Sequence, residues 1–452
     1  MLDLQHTRRD FLRNSSVGLA GLTLPSFYNA LAKSASGKSP KAKAKSCIIV
    51  YTWGGMSHYE SFDPKPEAPS EIRGIFKHIP TATPGINYCE YLPQLAKHSE
   101  KLALVRSVRH RHGGHGAGMY INMTGHNPVG AKPKDRKNWP SLASMISYFH
   151  NPAAGTPRAI RMPYSMYDNG GQQSGEHAGW LGAKYDPILV RTPAGQPWRG
   201  VNRYNDRELN LKLNLDKNRI ADRRRLLGSL DTPKTEEAAY EKLDHYSQMA
   251  ADMLLGSPVR DAYDLEKEDP KIRYMYGDHM GGQSLLLARR LVEAGVPVVQ
   301  TLLSASDLAG GSGDNWDTHK NHFPKMKDRL LPVFDQSVSA FLTDLEMRGM
   351  LEETLVVFLT DFGRTPKVNG NGGRDHFPNV YTLALAGGGI RGGQAYGASD
   401  RKGVEPAENM CTPADIHATV FRAMGIDHKT ELNDPIEGRP FMLCDGEPLP
   451  LF

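Results

Sequence analysis

Cysteine is scarce in this sequence, with 4 residues among 452, and none of them belongs to a CxxC pair. A zinc site built from thiolates is therefore not expected. Two outcomes remain open for the four residues, which could form one or two disulfides in an oxidising compartment or remain as buried thiols. They are Cys47, Cys89, Cys411 and Cys444.

Long apolar runs and a charge excess in the body of the chain are also missing. No run reaches the roughly 20 residues of a membrane-spanning helix, so no transmembrane segment is predicted. The formal charge of +5 is concentrated in residues 33–45, which contain five lysines, and the rest of the chain is close to neutral. This distribution argues against a nucleic-acid-binding surface.

The N-terminus carries the features of an export signal. Residues 7–12 read Thr-Arg-Arg-Asp-Phe-Leu, an apolar stretch covers 17–24, and Ala30-Leu31-Ala32 fits a small-x-small cleavage site. Charge, apolar core and cleavage site appear in the order of a twin-arginine signal. We therefore expect a signal peptide at 1–32, a Lys-rich flexible tether at 33–45, engagement of the twin-arginine export machinery, and a periplasmic or extracellular location.

The remaining chain, 46–452, alternates β-branched apolar runs with amphipathic segments. Strands are predicted at 46–52, 102–105, 158–162, 296–303, 354–359 and 380–386, and the main helices at 140–150, 282–294, 324–347 and 412–424. Such alternation is typical of a doubly wound, mostly parallel α/β sheet. Residues of about 200–270 are rich in charge with leucine at helical spacing, which predicts a helical insertion.

The stretch 354–376 is the most informative part of the chain. A buried strand ends in Thr360-Asp361-Phe362-Gly363-Arg364, and a Gly/Asn-rich loop then leads to Arg374-Asp375-His376. Open α/β sheets bind ligands just beyond the carboxyl ends of their strands. Asp361 and His376 are therefore candidate metal ligands, and Arg364 or Arg374 could steer an oxyanion. The alternative is a solvated loop with a structural ion pair.

A second acid–histidine cluster follows the strand predicted at 296–303. Asp317, His319 and His322 lie within six residues, a short spacing that reduces the ordering needed to build a metal site. The two histidines could instead cap or line the helix that follows. We favour the ligand interpretation, because the acid–histidine pair of Asp361 and His376 follows a different strand of the same predicted sheet.

A glycine-broken loop between the strand at 102–105 and the next helix is unusually rich in histidine and arginine. Residues 109–116 read Arg-His-Arg-His-Gly-Gly-His-Gly. Imidazoles placed beside the N-terminal N–H groups of a helix suit oxyanion binding or catalysis, which makes His112 and His115 candidate catalytic residues. A charged surface loop is the alternative.

Five segments in a fixed order resemble the DUF1501 family, whose members carry twin-arginine signals and belong to the alkaline phosphatase and sulfatase superfamily. The segments read WGGMSHYESFDPK from Trp53, LARRLVEAG from Leu287, WDTH from Trp316, DFGRTP from Asp361 and RDH from Arg374. The resemblance implies a three-layer α/β/α sandwich with divalent metals at the carboxyl ends of the strands. It also implies hydrolysis or transfer of phosphate and sulfate esters.

Carried over by position, Asp317 and His319 or His322, with His376, resemble one metal site, and Asp361 resembles a ligand of the second. The sequence also departs from the superfamily pattern. Thr52-Trp53-Gly54 stands where an aspartate usually ends the first strand, and Phe362 replaces a residue that can ligate. The position of the sulfatase cysteine or serine, nine residues before Thr124-Gly125, holds His115.

Together these features predict a secreted metal-dependent hydrolase of phosphate or sulfate esters, acting on a small-molecule or carbohydrate ester. Asp317, His319, His322, Asp361 and His376 would hold zinc, calcium or manganese. His115 would act as nucleophile or base, or as a further ligand, and Arg364 would stabilise the oxyanion. The alternative is a non-catalytic secreted binding protein on the same fold, with a decayed metal site.

Overall fold

The fold is built on one eight-stranded sheet. A computed structural model describes residues 40–153, 155–168, 171–190, 258–304, 315–433 and 438–452. In chain order the strands are β1 (Ser46–Thr52), β2 (Leu102–Val108), β3 (Ile160–Met162), β4 (Ile188–Leu189), β5 (Val298–Leu302), β6 (Thr354–Thr360), β7 (Tyr381–Ala386) and β8 (Gln394–Tyr396). Across the sheet they lie in the order β8-β2-β7-β6-β1-β5-β3-β4.

Seven of these strands run parallel, and only β7 runs against its neighbours β6 and β2. The central strand β1 pairs with β6 from Ser46↔Thr354 to Thr52↔Thr360, and all of its residues are buried. A strand covered on both faces needs apolar side chains in both directions, which explains the apolar run from Cys47 to Tyr51. The structure confirms the predicted α/β class with a mostly parallel sheet.

Helices cover both faces of this sheet. The long ones are α1 (His115–Thr124), α2 (Leu142–Phe149), α3 (Met280–Glu293), α4 (Leu331–Met347) and α5 (Pro413–Ala423). One apolar core contains Ile48 and Val50 of β1 with residues of α3 and α4. The other contains Ile49 and Tyr51 with residues of α1, α2 and α5. Alternate residues of β1 thus face different helix layers, so the described part of the chain forms three layers.

Shorter elements complete the described chain. The helical segments are Ser70–Arg73, Pro93–Ala96, Ser99–Lys101, Gly179–Leu181, Ala183–Tyr185, Pro258–Tyr263, Leu265–Lys267, Pro270–Tyr276 and His322–Lys325, and a π-helical turn at Met326–Leu330 joins the last of these to α4. Two-stranded ribbons pair His78–Pro80 with Asn87–Cys89, Tyr167–Asp168 with Gly171–Gln172, Gly363–Arg364 with His376–Phe377, Ala398–Ser399 with Pro406–Glu408, and Glu431–Asn433 with Pro440–Met442.

Several predicted segments fall partly or wholly outside the described residues. The signal peptide at 1–32, most of the tether and most of the helical insertion lie there. The last residues of the predicted tether are described, and the backbone N–H groups of Lys43 and Ala44 both donate to the carbonyl oxygen of Ala423. This end of the tether therefore lies against α5. The four cysteines are buried free thiols, so they form no disulfide with one another.

No helix in the described part of the chain combines the length and hydrophobicity needed to cross a lipid bilayer. The sheet instead determines where a polar site can form. Strands β1, β2, β5 and β6 are parallel to one another, and their carboxyl ends therefore meet at one edge. The segments singled out in the sequence follow these four strands, which brings distant parts of the chain to one place.

Candidate metal centre

Four side chains from three separate segments converge at this edge. His115, Asp317, His319 and His376 can each offer one ligand atom such that all of these atoms lie within 4.8 Å of one another. His115 opens α1 just after β2, Asp317 and His319 lie in the connection that follows β5, and His376 lies in a short ribbon after β6. We call these four residues the metal cluster. Its ligand types, imidazole and carboxylate, are those that bind zinc and other first-row divalent metals.

The three imidazoles of the metal cluster share one orientation. In each ring, Nδ1 lies within 2.7 Å of an oxygen acceptor, which leaves Nε2 facing the other members. The acceptors are Asp361 Oδ2 for His115 at 2.6 Å, Asp375 Oδ1 for His319 at 2.6 Å, and the Gly113 carbonyl for His376 at 2.7 Å. Metal-binding histidines commonly donate their outer N–H to such a carboxylate or carbonyl, which fixes tautomer and ring orientation.

The Nε2 atoms crowd around the carboxylate of Asp317. His319 Nε2 and His376 Nε2 are 2.8 Å apart, and they lie 3.0 Å and 3.2 Å from Asp317 Oδ1. His115 Nε2 lies 3.3 Å from Asp317 Oδ2. With their Nδ1 atoms donating outward, neutral imidazoles present lone pairs to one another and to a carboxylate. A cation between them would convert this repulsion into coordination, so the residues fit a divalent metal.

The charge balance of the site also favours a cation. Burial alone lowers the pKa of His115, but hydrogen bonds and attraction from Asp317 and Asp361 outweigh it and raise this pKa to about 9. Burial raises the pKa of Asp317, but His115, His376 and Arg364 more than reverse this and hold it well below its usual range. The surroundings of His115 thus stabilise positive charge at the point where the Nε2 atoms meet.

Arg364 lies behind Asp317, not in the opening of the site. Its buried guanidinium donates to Asp317 Oδ1 at 2.7 Å, to the Gly55 carbonyl and the Arg374 carbonyl at 2.9 Å each, and also to the Gly54 carbonyl. Four of its five N–H groups are therefore used within the protein. Arg364 thus fixes the position of Asp317, and its role as an oxyanion binder stays a prediction.

Asp361 supports the metal cluster from outside it. Its carboxylate is fully buried and accepts hydrogen bonds from Tyr51 Oη at 2.6 Å, Gly54 N at 3.1 Å and His115 Nδ1. Its own carbonyl accepts from His110 Nε2 at 2.7 Å. In this geometry Asp361 orients His115, and its role as a metal ligand stays a prediction.

His322 and His112 lie outside the metal cluster. The fully buried ring of His322 has Nδ1 2.6 Å from Thr318 Oγ1 and Nε2 2.9 Å from Glu60 Oε2. Both of its nitrogens thus contact groups outside the metal cluster, and its role as a ligand stays a prediction. His112 lies on the loop before α1, where its Nε2 is 3.0 Å from Asn127 Oδ1.

Two glycines allow the segments to approach this closely. Gly54 has a φ of +110°, and a Cβ atom there would collide with the backbone nitrogen of Asp317. A Cβ atom at Gly373 would collide with the backbone of His319. Only glycine combines the positive φ with this packing at position 54, so the glycine after β1 helps to set the position of a cluster residue.

Comparison with known proteins places the chain in a family. The model of a family described as a protein of unknown function (DUF1501) matches residues 44–450. The chain belongs to the DUF1501 family. No curated protein matches the sequence. The predicted family membership is therefore confirmed.

Solved structures similar to this DUF1501 chain share little sequence with it. The lipoteichoic acid synthase LtaP from Listeria monocytogenes aligns at a TM-score of 0.40 and 10% identity, covering 91% of this chain and 77% of that one. A protein in the alkaline phosphatase superfamily from Vibrio parahaemolyticus aligns at 0.39 and 11%, covering 86% and 69%. The PsFucS1 sulfatase from Pseudoalteromonas sp. aligns at 0.35 and 14%, covering 88% and 70%.

Two aromatic residues of this DUF1501 protein line the metal cluster. Trp53 stacks on His115 with ring centroids 5.1 Å apart and 24° between the planes, and Phe362 lies 4.4 Å from the ring of His376. Both stand at positions where the sequence resemblance implies metal ligands. The described residues therefore offer one cluster that could hold a metal ion, bordered by two aromatic rings.

Sequence reasoning missed the residues that orient the imidazoles. The sequence indicated Asp375 only as part of the Arg374-Asp375-His376 motif. In the structure Asp375 contacts His319, 56 positions away. The Gly113 carbonyl that accepts from His376 is a backbone atom, which no side-chain pattern reveals. The Asp–His adjacency at 375–376 was a signal for a carboxylate beside a ligand, but not for the histidine it would orient.

Proposed function

We propose that this DUF1501 protein is a metal-dependent hydrolase of phosphate or sulfate esters. The observation that carries the proposal is the convergence of three Nε2 atoms on the carboxylate of Asp317, with every Nδ1 atom held by an oxygen acceptor. Three imidazoles and one carboxylate suit zinc or manganese better than calcium, which prefers a shell made only of oxygen.

His115, Asp317, His319 and His376 would hold the ion, which would supply a Lewis acid and lower the pKa of a water molecule. The cluster is open on one side. The side chain of His319 is 39% exposed, whereas that of His115 is 5% exposed. A substrate would therefore approach across His319, and the buried carboxylate of Asp361 would keep His115 in place.

Both ring nitrogens of His115 are engaged by this arrangement. Nδ1 is held by Asp361, and Nε2 faces Asp317 at 3.3 Å. Of the roles predicted for His115, the proposal therefore adopts that of a ligand over that of a nucleophile. A water molecule then serves as the nucleophile, which removes the need for the serine or cysteine that ordinary sulfatases use.

Positive charge near the mouth of the site supports an anionic substrate. The loop between β2 and α1 contributes the exposed Arg111, and it touches the cluster where the Gly113 carbonyl accepts from His376. Lys320 is exposed directly after His319. Such groups raise the local concentration of phosphate or sulfate esters, and the motifs resembling the phosphatase and sulfatase superfamily favour the same esters.

A second candidate function follows from the aromatic walls. Trp53 and Phe362 leave no second set of ligands where the resemblance implies one, and four protein ligands are enough to close a structural zinc site. On this reading the protein is a secreted, non-catalytic binding protein. The two candidates predict the same metal content but different turnover.

The decisive experiment measures metal content and turnover together. Protein recovered outside the cytoplasm of its native host is analysed by mass spectrometry of elements and assayed with p-nitrophenyl phosphate and p-nitrophenyl sulfate. We expect about one zinc or manganese ion per chain. His376→Ala should lose this ion and lower kcat/KM about a thousandfold, since a bound Lewis acid contributes several kcal/mol.

Controls separate the parts of the proposal. His78→Ala removes an exposed histidine far along the chain from the cluster and should change neither readout.

Changing Arg8 and Arg9 together to lysine should keep the protein in the cytoplasm, which tests the proposed twin-arginine export. A wild-type protein that holds the metal and turns over neither ester would support the binding protein instead, and a metal-free exported protein would end both proposals.

A further inference from the structure

Trp53 has a buried hydrogen-bond donor that nothing in the described chain satisfies. The residue is 7% exposed, and its indole Nε1 has no acceptor among the described residues. An indole N–H that loses water without gaining an acceptor destabilises the folded state. Buried polar groups are nearly always paired. We therefore expect a bound ligand to supply the acceptor for this N–H when the protein functions.

The neighbouring tryptophan shows that the fold can satisfy such a group. Trp316 is 2% exposed, and its Nε1 donates to the Leu303 carbonyl at 2.9 Å. The two residues are in direct contact, since the backbone N–H of Trp316 donates to the Trp53 carbonyl at 3.1 Å. Of these two neighbouring tryptophans, only Trp53 has an unpaired indole N–H.

Trp53 also stands at the metal cluster. Its ring stacks on the ring of His115, with 5.1 Å between centroids. The next residue, Gly54, donates its backbone N–H to Asp361 at 3.1 Å and packs on the backbone of Asp317. The indole therefore contacts one cluster residue directly, and the backbone that follows it is fixed by Asp361 and Asp317.

We propose that Trp53 Nε1 donates a hydrogen bond to an oxygen of a phosphate or sulfate group bound at the metal cluster. This inference rests on the function proposed above and assigns the residue that recognises the anion. The guanidinium of Arg364 is already occupied behind Asp317, so another donor must meet an anion at the cluster.

The indole suits this task because of its chemistry. Its N–H is a donor only and carries no charge, so it attracts an anionic oxygen without competing with a metal for the carboxylates. Its ring at the same time packs on a ligand of the cluster. A lysine or arginine at this point would instead pair with the nearest aspartate.

The first test measures binding of inorganic phosphate and of inorganic sulfate to the zinc-loaded protein by titration calorimetry. Trp53→Phe keeps an aromatic ring at this position and removes the N–H together with the rest of the smaller indole ring. We expect the Kd of the preferred anion to rise about tenfold or more, because hydrogen bonds to charged groups are the stronger ones. Zinc content should stay at the wild-type level.

Trp180→Phe is the matched control. Trp180 is 8% exposed and packs against Trp139 and Phe441, away from the metal cluster. This variant loses the same atoms from a buried tryptophan and should bind both anions as the wild type does. Equal anion affinity in Trp53→Phe and wild type would overturn the inference, as would a zinc-loaded wild type that binds neither anion.

A second measurement does not depend on the folding of a variant. The protein contains five tryptophans, so ¹⁵N labelling of the indoles gives a small set of resonances. Addition of the anion should move one indole proton resonance strongly downfield, and that resonance should be missing from the spectrum of Trp53→Phe. If the Trp53 resonance stays in place at saturating anion, the donor is not used.

These readouts also separate this inference from the proposed hydrolase. A protein that binds phosphate through Trp53 but turns over no ester would retain the inference and lose the hydrolase. A protein that hydrolyses esters with unchanged kcat/KM in Trp53→Phe would retain the hydrolase and lose the inference.

Discussion

Two buried charge clusters in this molecule are built in opposite ways. In the helix network, defined by Glu268, Arg289, Glu293, Asp344 and Arg348, donors face acceptors. Arg289 is fully buried, and it reaches Glu268 at 2.5 Å, Glu293 at 2.7 Å and Asp344 at 2.8 Å. In the metal cluster, the Nε2 atoms of three imidazoles point at one another and at a single carboxylate.

The difference separates a structural network from a binding site. Together with Arg290, whose Nη1 lies 2.8 Å from Glu268 Oε2, the helix network pairs three carboxylates with three guanidiniums. It joins α3, α4 and the segment before Pro270–Tyr276, so it needs no further partner. The metal cluster holds its rings rigidly by their outer nitrogens and directs the inner ones at a common point. Ring nitrogens and a carboxylate that point at one another indicate that a bound cation completes the site.

The largest effect on stability is expected in the helix network. Arg289→Met should lower the free energy of unfolding by about 3–5 kcal/mol, because it leaves the buried carboxylates of Glu268 and Asp344 without their cation. Urea unfolding monitored by circular dichroism measures this change. The metal content of the folded fraction should remain that of the wild type.

Arg391→Met is the control for this prediction. Arg391 is exposed, with one long hydrogen bond of 3.4 Å to the Pro450 carbonyl, so its loss should change the free energy of unfolding by less than about 0.5 kcal/mol. Similar unfolding curves for the two variants would show that the helix network is dispensable, and the contrast with the metal cluster would then fail.

Much of the fold followed from the sequence, because the parallel strands have a simple signature. β1 and β6 are unbroken apolar runs, and their observed bounds, Ser46–Thr52 and Thr354–Thr360, agree with the prediction to within one residue. The antiparallel direction of β7 was not predictable in this way. Strand direction depends on the path of the connecting loop, and an apolar run carries no trace of it.

The candidate site was predicted in composition but not in roles. Asp317, His319 and His376 were named as ligands, and the structure brings all three together with His115. His322 and Asp361 have the same chemistry and lie close in sequence, yet they point at Glu60 and His115 instead. Which way an imidazole points is decided by acceptors 50 to 300 positions away, and local spacing cannot reveal these.

The outer acceptors of the metal cluster provide the next prediction. Asp375→Ala should weaken metal affinity about 10- to 100-fold, because His319 loses the carboxylate that fixes its tautomer and raises its basicity. Competition with a fluorescent chelator measures the affinity directly. The side chain of Asp375 is 49% exposed, so the substitution should cost little stability.

Glu352→Gln serves as the control, since it removes one exposed carboxylate far from the cluster. Unchanged metal affinity in Asp375→Ala would mean that the ring of His319 is positioned by its neighbours alone. The metal cluster would then not depend on its outer acceptors, and its contrast with the helix network would lose its main support.

A pH-dependent effect on stability concerns two buried histidines at opposite ends of α1. His115 at the start of the helix has its pKa raised to about 9, although burial alone would lower it. His417 packs against the C-terminal end, where its Nε2 donates to the Asn122 carbonyl at 2.9 Å. Burial lowers the pKa of His417 to about 4, the Asn122 carbonyl partly opposes this shift, and the nearby His126 adds to it.

The sign of the resulting pH dependence follows from the lowered pKa. An unfolded chain protonates this histidine near pH 6.5, whereas the folded protein resists protonation down to about pH 4. The contribution of neutral His417 to stability is therefore complete above pH 6.5. It falls by up to about 1.4 kcal/mol for each pH unit between these values. With chelator present to exclude the metal cluster, urea unfolding at pH 7, 5.5 and 4.5 should show this loss.

His417→Gln should flatten the profile in that range, whereas substitution of the exposed His78 by glutamine should leave it unchanged. A neutral glutamine amide can still donate to the Asn122 carbonyl and has no proton to gain. If wild type and His417→Gln lose stability in parallel on acidification, the buried ring accepts its proton in the folded state. The opposite shifts assigned to the two ends of α1 would then be wrong.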